Sequence, residues 1–191
     1  MVDDGGPALP VLAHAAPATL APVTSYPLRR LRLRPGEEHR EELETPIEPL
    51  VLGGLTYVAE PEILPVEVVI QRATSGDVFR LRLEAAVAGP CMRCLTPATV
   101  PVRVDAREYQ DAAPGAPAEL TTEYVRDGDL LVGDWARDQI VLTLPAQILC
   151  RPDCAGLCAV CGKDLNLEPH EHEVSDVDSR WAALEALRPE E

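Results

Sequence analysis

Lysine is nearly absent from this 191-residue chain: Lys163 stands alone, and arginine supplies the rest of the 17 basic residues. Aromatics are scarce at 4%, with Phe79 as the single phenylalanine. No apolar run reaches the about 18 residues that a membrane-spanning helix needs. The stretch from Ala8 to Ala21 is interrupted by prolines and His14 and follows Asp3 and Asp4, so it lacks the basic flank of a secretory signal peptide. The expected compartment is the cytoplasm. A Gly-rich phosphate loop, a G-x-S-x-G elbow and an H-E-x-x-H helix are also missing, and the acidic pairs sit in solvated, charged stretches. The chain therefore reads as non-enzymatic.

Acid is plentiful. Asp and Glu number 32, giving a net charge of −15. Nucleic-acid phosphates repel a chain of that sign unless its arginines are segregated on one surface, whereas a basic protein partner is attracted. The densest basic run is Arg29, Arg30, Arg32 and Arg34. Hydrophobic residues make up 46%, enough for a core, while 19 prolines argue that part of the chain stays outside it.

Residues 1–24 are Ala/Pro-rich without a usable period and read as a disordered tail. Residues 25–149 carry the signals of a mainly β domain. Tyr26 to Arg34 ends in alternation, Leu31 and Leu33 against Arg32 and Arg34, which predicts a half-exposed strand. Glu37 to Glu44 is strongly charged and reads as a short helix or a loop. Val66, Val68 and Ile70 mark another strand. After the turn at Ser75-Gly76-Asp77, Phe79, Leu81, Leu83, Ala85 and Val87 share one face and Arg80, Arg82 and Glu84 the other. Val100, Val102, Val104 and Ala106 give a third, with Arg103 and Arg107 outward and Pro101 pointing to an edge position or a strand start. Gly133-Asp134-Trp135 opens a helix with Asp134 as candidate N-cap, and Pro145 ends it. Residues 150–188 form a cysteine-rich segment followed by a short helix from Asp178 to Leu187, with Trp181, Leu184 and Leu187 on one face.

The cysteines carry the chemistry. Cys91-Met92-Arg93-Cys94 falls between two strands, and Cys158-Ala159-Val160-Cys161-Gly162 repeats the C-x-x-C spacing before a glycine suited to positive φ. Two intervening residues let both sulfurs aim at one centre, so paired C-x-x-C units point to structural zinc. Disulfides, a redox pair and an iron–sulfur cluster are the competing explanations. Cys91 and Cys94 can join Cys158 and Cys161, or Cys150, Cys154, Cys158 and Cys161 can close a local site. His170 and His172 add two further donors, although a solvated place in an acidic tail is their ordinary explanation. Six cysteines and two histidines suffice for two four-coordinate sites.

Three segments resemble the YceD family, the large ribosomal RNA subunit accumulation proteins. These are Gly89-Pro90-Cys91-Met92-Arg93-Cys94-Leu95 with the strand Val100 to Tyr109, the helix Trp135 to Leu144 running into Pro145 and Cys150, and Asp153-Cys154-Ala155-Gly156-Leu157-Cys158 through Gly162 with Asp178 to Leu184 beyond. The resemblance they carry is taken to span roughly residues 25–188. The resemblance implies a bacterial cytoplasmic factor for accumulation of large-subunit ribosomal RNA. The expectation is thus an α+β protein, mainly antiparallel sheet with a mid-chain helix and a zinc-knuckle-like C-terminal region, with zinc as cofactor and Cys91, Cys94, Cys150, Cys154, Cys158 and Cys161 as candidate ligands. The expected partner is a basic ribosomal protein or large-subunit precursor. Direct RNA binding through Arg29, Arg30, Arg32 and Arg34 with Arg80, Arg82, Arg103 and Arg107 is the second reading, and a thiol redox or metal-sensing protein the third.

Overall fold

A computed structural model describes residues 22–172. The helix expected over Asp178 to Leu187, with Trp181, and the tail up to residue 21 lie outside the described residues. Val23 and Thr24, read from sequence as the end of the tail, are tied down: the Val23 N–H donates to the Glu44 carbonyl at 2.7 Å and the Gly133 N–H to the Thr24 carbonyl at 3.0 Å.

Antiparallel strands dominate, as the alternating patterns predict. Among the described residues the strands are β1 (Tyr26–Pro27), β2 (Glu38–Pro46), β3 (Leu50–Leu52), β4 (Leu55–Glu60), β5 (Ile63–Arg72), β6 (Gly76–Pro90), β7 (Pro97–Asp111), β8 (Val125–Arg126) and β9 (Asp129–Leu130), with one α-helix, α1 (Val132–Thr143). The main sheet is built on β6. One side of that strand pairs with β7 along its whole length, from Gly76↔Asp111 to Pro90↔Pro97. The other side takes β5 over Asp77 to Leu83 and β4 over Ala86 to Ala88. β2 then pairs with β5, β3 pairs with β4, and β1, β9 and β8 make a separate small sheet. β7 is thus an edge strand, which is where Pro101 can sit without removing a ladder hydrogen bond.

Period-two patterning makes the main sheet two-faced. Val66↔Leu83, Val68↔Leu81 and Ile70↔Phe79 stack on the inner face, where Leu81, Phe79 and Val68 are fully buried. α1 covers this face with Val132, Trp135, Ala136 and Ile140, whose helical spacing places them on one stripe. On the outer face the charges pair across strands. Arg40 meets Glu67 at 3.2 Å, Glu67 meets Arg82 at 2.9 Å, Arg80 meets Asp105 at 2.5 Å, and Arg103 meets Glu84 at 2.9 Å. The Arg80 guanidinium, hydrogen-bonded to Asp105, holds that carboxyl down at about 2.

Three local expectations need correction. Glu37 to Glu44 is neither helix nor loop but most of β2, whose inward positions, His39, Glu41, Leu43 and Thr45, include one aliphatic residue. Pairing with β5 overrides that weak pattern. Tyr26 to Arg34 is not one strand: β1 stops at Pro27, a 3-10 turn spans Leu28–Arg30, and residues 31–34 are irregular. Leu31 and Leu33 nonetheless pack against the core while Arg32 and Arg34 are exposed. Asp134 does not cap α1; the cap position is Leu131, without a side-chain cap bond, and Asp134 lies in the first helical turn, where its charge still favours the helix dipole.

Candidate metal centre

The β6–β7 connection is the first C-x-x-C turn. The Cys91 N–H donates to the Thr96 carbonyl at 2.7 Å, the Leu95 N–H to the Cys91 carbonyl at 3.0 Å, and the Arg93 N–H to Cys91 Sγ at 3.5 Å. This closed loop aims both thiols at the segment that follows α1. Pro145 ends the helix and returns the chain beneath the hairpin, where the Met92 N–H donates to the Ile148 carbonyl at 2.8 Å. Ile148 is fully buried, so Cys150 and Cys154 are delivered from an anchored strap.

Four cysteines meet there: Cys91, Cys94, Cys150 and Cys154, with all sulfurs within 4.8 Å of one another. Cys91 Sγ lies 3.8 Å from Cys154 Sγ, and Cys94 Sγ lies 3.6 Å from Cys150 Sγ. A disulfide would bring a pair to about 2 Å. A tetrahedron of zinc–sulfur bonds near 2.3 Å has edges of about 3.8 Å. The observed separations fit ligands around one ion.

The electrostatics agree. Burial pushes the Cys91 thiol up, but backbone N–H groups of Cys94, Arg93 and Cys150 outweigh burial and bring it to about 6. The Thr96 hydroxyl favours a thiolate at Cys150, yet burial and the neighbouring thiols push that group up to about 11. Four thiolates this close need a cation to be charged together.

Two residues that the sequence did not single out hold the group in place. Arg93, between the knuckle cysteines, donates to the Cys154 carbonyl at 3.0 Å and to Gln147 Oε1 at 3.3 Å, while its own carbonyl accepts from the Leu157 N–H at 3.1 Å. Asn166 donates from Nδ2 to Cys154 Sγ at 3.5 Å, and its Oδ1 accepts from the Ala155 N–H and from Arg151, each at 2.8 Å. The Arg in C-x-R-C was visible; its role was not, because it depends on a contact 61 residues away.

Cys158 and Cys161 join neither the first knuckle nor Cys150 and Cys154; the grouping is the one that adds His170 and His172. They lie with His170 and His172, donor atoms again within 4.8 Å of one another. Neither the pairing of Cys158 and Cys161 with the first knuckle nor the local set of Cys150, Cys154, Cys158 and Cys161 is what the structure brings together. The eight donors form two separate groups of four, as six cysteines and two histidines allow.

Comparison with known proteins gives a consistent result. The family model described as large ribosomal RNA subunit accumulation protein YceD matches residues 79–188, which include both cysteine groups. Uncharacterized proteins of Mycobacterium tuberculosis and Mycobacterium bovis are each 34% identical over 172 residues, covering 85% of this chain and 81% of their own length. An uncharacterized protein of Mycobacterium leprae is 36% identical over 106 residues, 52% of this chain and 48% of its own. No solved structure matches.

Proposed function

Since this chain belongs to the YceD family, the large ribosomal RNA subunit accumulation proteins, we propose that it is a non-catalytic, cytoplasmic factor of large-subunit biogenesis that acts by holding a basic protein partner. The family supports the role in ribosome biogenesis. The observation that carries the choice of partner is the pairing on the outer sheet face. Arg80, Arg82 and Arg103, three of the arginines available to an RNA-binding reading, are spent on Asp105, Glu67 and Glu84. Arg29 faces Asp129 at 3.5 Å. By contrast, Glu48, Glu60 and Glu62 are exposed around the β4–β5 corner, with no cationic partner within ion-pair distance among the described residues. Free carboxylates beside neutralised arginines attract a basic surface and repel phosphate.

The metal has a structural role in this proposal. Cys91, Cys94, Cys150 and Cys154 hold one zinc ion that clips the β6–β7 hairpin to the strap after α1. A closed shell of four thiolates leaves no position for water or substrate, which fits a factor without catalysis. Spacings of single-ion size favour zinc over an iron–sulfur cluster, whose cysteines stand farther apart around several irons. No helix of the described residues is long and apolar enough to cross a membrane.

A second reading, direct RNA binding, draws on Arg30, Arg32, Arg34 and Arg107, which have no acidic partner within ion-pair distance among the described residues. The biogenesis role itself is tested by depleting the protein and measuring mature ribosomal RNA. Large-subunit RNA is expected to fall relative to small-subunit RNA. An equal fall of both, or no change, contradicts the role.

A further inference from the structure

The turn at Cys158 repeats the turn at Cys91, hydrogen bond for hydrogen bond. In the first, the cysteine N–H donates to the carbonyl five residues on, Thr96, at 2.7 Å; in the second, Cys158 donates to Lys163 at 2.8 Å. The residue two further on donates its N–H to the leading sulfur in both, Arg93 to Cys91 at 3.5 Å and Val160 to Cys158 at 3.4 Å. The residue four further on donates to the cysteine carbonyl, Leu95 at 3.0 Å and Gly162 at 2.9 Å. That same residue has positive φ in each, +63° at Leu95 and +74° at Gly162. A leucine in a left-handed conformation is uncommon, so the sharing of this shape by unrelated sequences reflects what the turn is for. It points two sulfurs at one centre.

At the second turn, imidazoles complete the set. His170 Nδ1 donates to the Glu168 carbonyl at 2.6 Å, which leaves Nε2 with its lone pair free, 3.1 Å from Cys161 Sγ. Fixing a histidine tautomer from behind through a carbonyl is how metal-binding imidazoles are oriented. The Lys163–Glu168 ion pair at 2.7 Å closes the loop between the knuckle and His170, and His172 lies edge-on to His170 with ring centres 4.9 Å apart.

We infer that Cys158, Cys161, His170 and His172 form a second zinc site, filled independently of the four-cysteine site and exchanging its ion more readily. Two thiolates with two imidazoles suit a borderline divalent ion and tetrahedral geometry. The proposal takes from the first site only the choice of metal. Its independence follows from the two separate donor sets. Its lability follows from exposure: Cys161 and His172 are open to solvent, whereas in the first site only Cys150 is exposed and Cys91, Cys94 and Cys154 are part of the hydrophobic core. The second ion fastens the chain from Cys158 to His172 without holding up the sheet.

Metal analysis of the purified full chain tests this. Wild type is expected to carry about two zinc ions, with Cys161→Ser and His170→Ala each keeping about one. Cobalt loading of the wild type is expected to give two overlapping ligand-field spectra. Cys161→Ser removes the higher-energy one, since imidazole is a stronger-field ligand than thiolate. With excess chelator the wild type is expected to release one equivalent fast and one slowly, and His170→Ala to lack the fast phase. One zinc in the wild type, unchanged in Cys161→Ser and His170→Ala, overturns the second site and leaves the first standing. One zinc in the wild type that is lost in these variants overturns the four-cysteine site and keeps the second. Two zinc ions retained by His170→Ala, or both lost together from Cys161→Ser, overturns the ligand set or its independence. Absence of zinc from wild type overturns both.

Discussion

Single residues set the geometry of the hairpin that carries Cys91 and Cys94. Gly89 lies against the ring of Tyr57, and a Cβ there would clash with Tyr57 Cδ1. Tyr57 is fully buried, and its hydroxyl donates to the Pro90 carbonyl at 2.9 Å, one residue before the knuckle. Gly89→Ala therefore has to push either the ring or the strand. Overpacking of this kind typically costs about 1–3 kcal/mol. Denaturant unfolding of the variant is expected to show a loss in that range, and a stability equal to wild type would mean that the ring moves freely. The sequence offered Gly89 only as part of a turn before Cys91. Its partner Tyr57 lies on β4, and only the pairing of Val58 with Ala88 reveals the contact.

Among the elements, the main sheet has one apolar and one ion-paired face. Ile140 is fully buried between α1 and the sheet, whereas Arg82 sits on the outer face at 38% side-chain exposure. Ile140→Ala is expected to destabilise by about 2–5 kcal/mol. Arg82→Ala is expected to change stability by no more than about 1 kcal/mol, because an exposed ion pair contributes little. Comparable losses in the two variants, read from denaturant midpoints, would contradict the two-faced sheet. These faces were legible beforehand in β5, β6 and β7, where valine and leucine alternate with charge. β2 was not, because Leu43 is the lone aliphatic among its inward residues and four glutamates hide the period. The reverse error came at Leu31 and Leu33: their alternation is real in burial, yet irregular backbone can also turn every second side chain to the core. The metal donors were legible as residue types at the right spacing. Their partition was not, since spacing along the chain cannot say that Pro145 and Ile148 bring Cys150 and Cys154, rather than Cys158 and Cys161, beneath the hairpin.

For the whole molecule, the proposed choice of partner rests on charge. A net charge of −15 acts at long range, but local patches can defeat it, so the distribution matters more than the sum. Here the distribution agrees with the sum: Arg80, Arg82 and Arg103 on the sheet face are ion-paired and Arg107 alone on that face is not, while among the described residues Glu48, Glu60 and Glu62 near the β4–β5 corner have no cationic partner. The most direct test compares binding of the purified, zinc-loaded chain to naked large-subunit ribosomal RNA and to the extracted large-subunit proteins, at physiological salt. The account expects capture of one or more basic ribosomal proteins, weakened by added salt and by Glu48, Glu60 and Glu62 changed together to Gln, with weak binding to the RNA alone. Tight binding to protein-free RNA that survives those three substitutions and is lost when Arg30, Arg32 and Arg34 are neutralised would contradict it.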